Sequence, residues 1–174
     1  MWTPIEGDSE ILTGYVSVLV GNEGLLVQDV FSFEELGSLT ALEAVIITYP
    51  LSVNVNIPEK PAQATFIKQD IENACCTVAL LHALSNRGHL QVTKPLSEYE
   101  QVHQQFAVKG ETEVDNDTEM HYITIVPVDG HAIWLDGRRE CAINLGTIDG
   151  SFGKFVAEHI NSWLDLSTTC FFAA

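Results

Sequence analysis

The amino-acid sequence predicts a mixed α and β fold, and three patterns support that fold class. Residues 9–19 place apolar side chains at helical spacing, residues 44–49 form an apolar, β-branched run, and residues 121–136 match a β-hairpin. With 174 residues, of which 46% are hydrophobic, the chain can bury a sizeable core. We therefore expect a single domain over residues 1–174, and we exclude a disordered chain or a small disulfide scaffold.

The N-terminal part is predicted to contain one helix followed by β structure. The helix covers Ser9–Leu19, and the Ser9 side chain is expected to cap it. The segment Leu25–Val30 is apolar and β-prone. Ala44–Tyr49 is predicted to be a buried strand, because its Val-Ile-Ile-Thr-Tyr run is apolar on both faces.

The middle of the chain is predicted to hold a central helix. Asn73–Asn86 is apolar nearly all round, which is typical of a buried helix, and Ala64–Lys68 is predicted to be a short strand before it. Arg87–Glu100 is polar and irregular. A short helix over Val102–Val108 then leads into Lys109–Glu119, an acidic segment that we expect to be an exposed loop.

The C-terminal half contains a hairpin whose turn can be identified. His121–Val128 and His131–Asp136 are two β-prone runs, and Asp129-Gly130 between them is a favoured two-residue hairpin turn. The turn determines which residues of the two strands face each other, because a two-residue loop leaves one register.

The predicted register brings a histidine close to a carboxylate. If Val128 faces His131, Ile123 faces Asp136. His121 lies on the same face as Ile123, so His121 and Asp136 are diagonal neighbours with Cα atoms about 7 to 8 Å apart. An imidazole and a carboxylate can meet across that distance. The alternative interpretation is a strand histidine beside an exposed carboxylate.

A cysteine is predicted at the start of the central helix. Either Asp70 or Asn73 can cap that helix, which places Cys75 in its first turn, where unpaired amides and the helix dipole favour a thiolate. Cys76 lies about 100° further round the helix and is expected to point elsewhere. Packing in the core is the alternative for either cysteine alone. A nucleophile needs a base and a group that orients the base, and the hairpin can supply both.

Composition limits the partners and the compartment. The chain has 24 acidic and 8 basic residues, and its formal net charge is −16. Nucleic acid is therefore excluded as a partner, and a basic partner is favoured. The N-terminus does not resemble a secretory signal, and the apolar stretch Leu39–Leu51 is too short to span a membrane. We therefore expect a cytoplasmic or nuclear protein. The sequence contains no CxxC motif, so it does not indicate a zinc site.

Two longer runs resemble the ubiquitin C-terminal hydrolase family of cysteine peptidases. They are Gln69–Leu84 and His121–Arg138, in which the glutamine precedes the cysteine by six residues and the aspartate follows the histidine by fifteen. The segments Trp2–Glu6, Val27–Val30 and Ile47–Pro50 are also similar to the N-terminal half of the family. The resemblance covers most of the chain.

The resemblance implies a complete catalytic apparatus. Cys75 would be the nucleophile, His121 the general base and then acid, and Asp136 the group that orients the imidazole, while Gln69 and the backbone N–H of Cys75 would stabilise the oxyanion. Neither a metal nor a cofactor is implied. The implied substrate is ubiquitin, from whose C-terminal glycine small adducts or short peptides are cleaved. The implied fold is a papain-like core, with a central antiparallel sheet flanked by helices and a knotted backbone.

Further implications concern specificity and departures from the family. The segment from about residue 104 to 119 corresponds to the family's crossover loop, which limits the size of the leaving group. Cys76 stands where the family has glycine, which motivates one alternative, a ubiquitin-binding module with little catalysis. A hydrolase of another ubiquitin-like modifier is the other, because the cleft sets specificity. We expect a monomer. No catalytic role is predicted for the other histidines, which are His82, His89, His103, His131 and His159.

Overall fold

The computed structural model describes residues 1–21, 24–110 and 119–165, together with the backbone of residues 170–173. Over these residues the chain forms five α-helices, six strands and one 3₁₀ turn. In chain order they are α1 (Ser9–Val20), β1 (Gln28–Val30), α2 (Phe33–Ser38), β2 (Val45–Pro50), α3 (Cys75–Asn86), the 3₁₀ turn (Leu96–Tyr99), α4 (Glu100–Ala107), β3 (Met120–Val128), β4 (His131–Leu135), β5 (Ile143–Thr147), α5 (Phe152–Trp163) and β6 (Cys170–Ala173).

The six strands form one antiparallel sheet in the order β1-β6-β2-β3-β4-β5. Helices α1, α3 and α4 pack with one face of the sheet, and α2 and α5 pack with the other. Because both faces are covered, the first five residues of β2 are all buried, as its uninterrupted apolar run predicts. The prediction of a mixed fold with a central antiparallel sheet flanked by helices is confirmed. The knotted course of the chain stays a prediction.

The β3–β4 hairpin has the predicted turn and register. Asp129 and Gly130 both have positive φ, 49° and 76°, as a type I′ turn requires. Val128 pairs with His131, and the ladder continues to the pair of Thr124 with Leu135. Strand β4 therefore ends one residue before the aspartate whose position the register predicts.

The predicted cap of α1 is wrong by one residue. The Asp8 carboxylate, and not the Ser9 hydroxyl, accepts hydrogen bonds from the N–H groups of Glu10 and Ile11, at 2.9 and 3.0 Å. Ser9 instead donates to Asp29 at 2.9 Å, which ties α1 to β1. Both residue types cap helices, and the tertiary contact decides between them.

The strand predicted over Ala64–Lys68 is absent, because these residues pair with side chains of α3 and not with a strand. Asn86 exchanges two hydrogen bonds with the Thr65 backbone, both at 2.9 Å. The Ile67 N–H donates to His82 Nε2, also at 2.9 Å. Residues 65–69, called the 65–69 segment below, therefore run antiparallel along the helix.

The start of α3 also differs from the prediction. The helix begins at Cys75 with Ala74 as its N-cap, and no side chain caps it. Neither Asp70 nor Asn73 therefore caps this helix. Asn73 adopts a left-handed conformation with φ of 63°, and its side-chain amide donates to the Trp2 carbonyl at 3.0 Å.

The remaining elements differ from the predictions in extent. Strand β1 contains only three residues of the β-prone segment 25–30, and α4 begins at Glu100, two residues before the predicted start. No element is predicted beyond residue 136, where the chain forms β5, α5 and β6. Within the described residues, no helix is long and apolar enough to cross a membrane.

Candidate active site

Cys75 is the first residue of α3, and it retains 9% of its surface exposed. The N–H groups of the first turn of a helix, here including that of Cys75, have no partner within the helix. No side chain caps this helix to supply one. These amides and the helix dipole favour negative charge at this position. The site can therefore stabilise a thiolate and, after attack, an oxyanion.

The N-terminal segment of the chain fixes the loop before the cysteine. Trp2 donates its N–H to the Glu72 carbonyl and accepts from the Asn73 side chain, both at 3.0 Å. The Tyr122 hydroxyl of β3 donates to the Ile5 carbonyl at 3.1 Å. One short segment thus contacts both the loop that leads to the nucleophile and the strand that carries the histidine.

The hairpin brings His121 and Asp136 into direct contact, with Nε2 donating to Oδ1 at 2.8 Å. The Arg138 N–H donates to the same oxygen at 2.9 Å, and Arg139 Nε lies 3.7 Å from the other one. Burial alone would raise the pKa of the carboxyl, but the hydrogen bond and charge of His121 outweigh it and lower that pKa. The aspartate is therefore ionised and fixed in orientation.

The Cys75 side chain also interacts with His121 and raises the pKa of the imidazole. Its Nε2 is taken by Asp136, so Nδ1 is the nitrogen available to the sulfur. Burial would lower this pKa, but the hydrogen bond and charge of Asp136, together with Cys75, raise it to about 9. The ring of Tyr49, which pairs with His121 across β2 and β3, packs edge-on against the imidazole with centroids 5.9 Å apart. At neutral pH the site holds an imidazolium in a fixed orientation.

Gln69 lies beside the residue that follows Asp136. Its N–H donates to the Gly137 carbonyl at 2.8 Å, and its side-chain Nε2 donates to the Ile71 carbonyl at 3.2 Å. An amide nitrogen carries a second N–H, which remains for another acceptor. Within the described residues, Gln69 Oε1 is buried without a hydrogen-bond partner. The Ile71 contact therefore determines which end of the amide is the donor.

Gly137 permits this close approach. A Cβ at this position would lie 2.8 Å from Val78 Cγ1 and 2.9 Å from Gln69 Cβ, closer than real side chains come. Glycine is therefore needed where the hairpin, α3 and the 65–69 segment meet. Because Gly137 directly follows Asp136 and contacts Gln69, the positions of Gln69 and Asp136 depend on each other.

Cys76 is more deeply buried than Cys75. It is 1% exposed and packs in the core between α3, α1 and the sheet. Burial, with a smaller contribution from the charge of Cys75, raises the pKa of its thiol. That Cys76 points away from Cys75 stays a prediction, but the raised pKa keeps its thiol protonated, so the residue in place of the family's glycine supplies no second thiolate.

The crossover segment is only partly described. Its first residues belong to α4, which ends at Ala107, and Glu119 at its other end is exposed. Residues 111–118 lie outside the described residues. No contact between this segment and the cysteine is assigned.

Two residues around the site are not predicted from the sequence. Tyr49 faces His121 across the sheet, which no local pattern reveals, because the pairing of β2 with β3 is not local. His82 holds the 65–69 segment from α3. Its only signal is its position seven residues after Cys75, which places both on one side of the helix.

Comparison with known proteins agrees with this geometry. The family model described as ubiquitin carboxyl-terminal hydrolase, family 1, matches residues 2–99 and 91–165. The ubiquitin carboxyl-terminal hydrolase of Aplysia californica is 29% identical over 202 aligned residues, which cover 94% of each chain. Human isozyme L1 is 29% identical, with 82% of each chain covered. A probable ubiquitin carboxyl-terminal hydrolase of Dictyostelium discoideum is 28% identical, over 83% of this chain and 74% of that relative.

The fold also matches a solved structure. The crystal structure of the Trichinella spiralis UCH37 catalytic domain bound to ubiquitin vinyl methyl ester superposes with a TM-score of 0.72. It covers 99% of this chain and 94% of that one at 21% identity, a level that supports the fold alone. The family model spans most of the sequence and includes the cysteine, the histidine and the aspartate that the fold brings together. This chain belongs to family 1 of the ubiquitin carboxyl-terminal hydrolases.

Proposed function

We propose that this chain is a deubiquitinating thiol hydrolase that cleaves small adducts or short peptides from the C-terminal glycine of ubiquitin. One observation carries the proposal: His121 donates a hydrogen bond to Asp136 and interacts with Cys75, in a chain that belongs to this family. Ubiquitin is the proposed partner because the relatives carry its name and the Trichinella spiralis domain binds a ubiquitin ester. Residues 1–174 act as a single catalytic domain and as a monomer in this proposal.

The first step is formation of the nucleophile. His121 Nδ1 takes the proton from Cys75 Sγ, which gives a thiolate and an imidazolium. Two features support this role, since the Asp136 carboxylate holds the ring through Nε2 and the pKa of His121 is raised to about 9. The charge separation is stabilised because the carboxylate, the imidazolium and the thiolate alternate in sign.

Attack and loss of the leaving group follow. The thiolate forms a bond to the carbonyl carbon of the terminal glycine, and the carbonyl oxygen takes the electron pair. The Cys75 N–H and the free N–H of the Gln69 amide donate to this oxyanion, a contribution of about 2.7 to 4 kcal/mol per donor. The bond to the leaving amine then breaks, and His121 supplies its proton.

Hydrolysis of the thioester restores the enzyme. His121, now neutral, takes a proton from water while the water oxygen bonds to the thioester carbon. The carbon–sulfur bond breaks, sulfur leaves as a thiolate, and the proton stays on the imidazole. Ubiquitin leaves with a terminal carboxylic acid, which loses its proton to solvent, and the ion pair of the first step is formed again.

Substrate size and location complete the proposal. The segment from about residue 104 to 119 limits the leaving group to small adducts or short peptides, as the family resemblance implies. The net charge of −16 favours association with a basic partner such as the C-terminal tail of ubiquitin. We place the protein in the cytoplasm or the nucleus, where a reducing environment keeps a catalytic thiol free.

The test compares labelling and turnover in matched cysteine variants. Wild type is expected to react with ubiquitin vinyl methyl ester and to hydrolyse a fluorogenic amide of ubiquitin. Cys75→Ala should lose both activities, because no other described thiol contacts His121. The control is Cys76→Ala, which changes the neighbouring buried cysteine and should retain labelling.

Two outcomes would contradict the proposal. Turnover that persists in Cys75→Ala would exclude this nucleophile. Tight binding of ubiquitin by wild type, with neither labelling nor turnover, would instead favour a binding module. A panel of electrophiles made from other ubiquitin-like modifiers tests the choice of modifier, and the proposal requires ubiquitin to react fastest.

A further inference from the structure

The 65–69 segment is held by side chains of α3 in the way that a partner strand would hold it. The Thr65 N–H donates to Asn86 Oδ1 and the Ile67 N–H to His82 Nε2, both at 2.9 Å. The two helix residues are four apart, a rise of about 6 Å. Two residues of an extended chain span about 6.6 Å, so alternate N–H groups meet successive turns of the helix.

The third N–H of this series belongs to Gln69. One turn further along α3 lies Val78, whose side chain has no acceptor. The Gly137 carbonyl takes over and accepts the Gln69 N–H at 2.8 Å. The clamp by helix side chains therefore ends two residues before Gln69, and His82 is its last member.

The protonation of His82 is determined by this contact. Its Nε2 accepts the Ile67 N–H, so the proton of a neutral ring is on Nδ1. His82 is 0% exposed, so water does not reach the ring. Within the described residues, its Nδ1 has no hydrogen-bond partner. Burial lowers the pKa of the ring to about 4 and outweighs the charge of Asp136, so the ring is neutral at physiological pH.

An unpaired N–H is a costly feature in a core, and an apolar side chain of similar size would avoid it. Phe66 stacks on the ring with centroids 5.3 Å apart, which packing alone could achieve with a leucine or phenylalanine. What an apolar residue cannot supply is the acceptor for the Ile67 N–H. The need for an acceptor of the Ile67 N–H therefore explains why position 82 is a histidine and not an apolar residue.

We propose that His82 is a positioning residue, which clamps the 65–69 segment through the Ile67 N–H and thereby holds the Gln69 amide in place for the oxyanion. The inference rests on the proposed function, because it assigns His82 a role through the oxyanion donor of that reaction. His82 touches neither substrate nor nucleophile in this role. Its effect on turnover should therefore pass through Gln69.

The test is a double-mutant cycle on turnover of a fluorogenic ubiquitin amide. His82→Leu removes the acceptor and should lower kcat about 10-fold or more, with little change in KM. The loss should not exceed the roughly 10²–10³-fold effect of removing one oxyanion donor altogether. His82→Gln keeps an acceptor at similar reach and should stay within about 3-fold of wild type. Ser85→Ala, which removes a bond inside α3, is the matched control.

The decisive measurement uses the Gln69→Ala background. If His82 acts through Gln69, His82→Leu should cause no further loss of kcat there. An equal loss in both backgrounds would show general damage to the site and would overturn the proposal. Full activity of His82→Leu would overturn it as well.

A spectroscopic measurement on wild type does not depend on activity or on the folding of a variant. In ¹⁵N-labelled protein, we expect a scalar coupling between the Ile67 amide nitrogen and His82 Nε2, with the ring proton on Nδ1. A missing coupling, or a proton on Nε2, would overturn the clamp. If the coupling is present and wild type does not process ubiquitin, the proposed function fails and the clamp stands.

Discussion

The β3–β4 hairpin and the 65–69 segment deliver their parts of the site by different physical means. The hairpin places His121 and Asp136 just beyond the end of a regular ladder, and the contact between them is an ion pair. The 65–69 segment carries Gln69 without any ladder, and its backbone hydrogen bonds join neutral groups of α3 and Gly137. One region positions charge by strand register, and the other positions a dipole by side-chain clamps.

The two regions therefore differ in their sensitivity to single substitutions. Register is a collective property of many backbone hydrogen bonds, so single substitutions along the hairpin leave the register intact. Only substitutions that remove His121 or Asp136 themselves abolish the ion pair. A clamp depends on a few side chains, so one substitution can release it. We therefore expect large effects from charge removal in the hairpin and graded effects from changes around the 65–69 segment.

Asp136→Asn should have the largest effect on turnover. The amide removes the negative charge and no longer selects the productive tautomer of His121, so we expect kcat to fall by about 10⁴-fold. Steady-state hydrolysis of a ubiquitin amide measures it. Asp149→Asn, in an exposed loop, is the control and should leave kcat unchanged. A loss below 10-fold would contradict the role of the ion pair.

Gln69→Ala should have the next largest effect. It removes one oxyanion donor and leaves the nucleophile and base in place, so we expect kcat to fall by about 10²–10³-fold with KM little changed. Gln63→Ala, at an exposed position of the same connection, is the matched control. A rise in KM with unchanged kcat would show instead that Gln69 only binds the substrate.

The two regions should lose stability at opposite ends of the pH range. The pKa of His121 is raised from 6.5 to about 9, so its contribution is complete below pH 6.5 and is lost as pH rises towards 9. We expect the free energy of unfolding to fall by about 1 to 3 kcal/mol over that interval. Denaturant titrations at several pH values measure it, and Asp136→Asn should flatten the alkaline side.

The acid side tests the 65–69 segment. The pKa of His82 is lowered from 6.5 to about 4, so its contribution is complete above pH 6.5 and is lost as pH falls towards 4. His82→Gln should reduce this acid loss. It will not abolish the loss, because burial also lowers the pKa of His103. An unchanged acid side in His82→Gln would show that His82 is not buried as a neutral ring.

Gly137→Ala should have the smallest effect of the series, and it acts where the two regions meet. The added Cβ would lie within 3.0 Å of both Val78 and Gln69, so at least one of these side chains must shift. We expect kcat to fall by about 10-fold as the oxyanion donor is misplaced. Gly37→Ala is the control, because a Cβ there meets its neighbours at an ordinary 3.8 Å.

The hairpin could be predicted in detail because its rules are local. Alternation and the Asp129-Gly130 turn together determine the register, and the register places His121 near Asp136. The helix over residues 75–86 was predictable for the same reason, since its apolar run is continuous. The family resemblance supplied Gln69, whose surroundings no local pattern describes.

The 65–69 segment shows why other predictions failed. Its β-prone pattern suggested a strand, but its hydrogen-bond partners are side chains of a helix that begins ten residues after Thr65. The start of α3 likewise has no side-chain cap, because Asn73 turns to the N-terminal segment. Partners distant in sequence decide both features. A single sequence does not state which distant residues will meet.

The position of β6 in the sheet bears on the order in which the chain can assemble. Its backbone lies between β1 and β2, so a strand at residues 170–173 separates two strands that lie within the first 50 residues. A chain still on the ribosome can pair β2 with β3 and β4, but the other edge of β2 stays open until residues 170–173 have left the exit tunnel. Open edges template association with other chains. Until residues 170–173 pair with β2, this edge can therefore recruit a strand of another chain, and the pairing of β6 removes that risk.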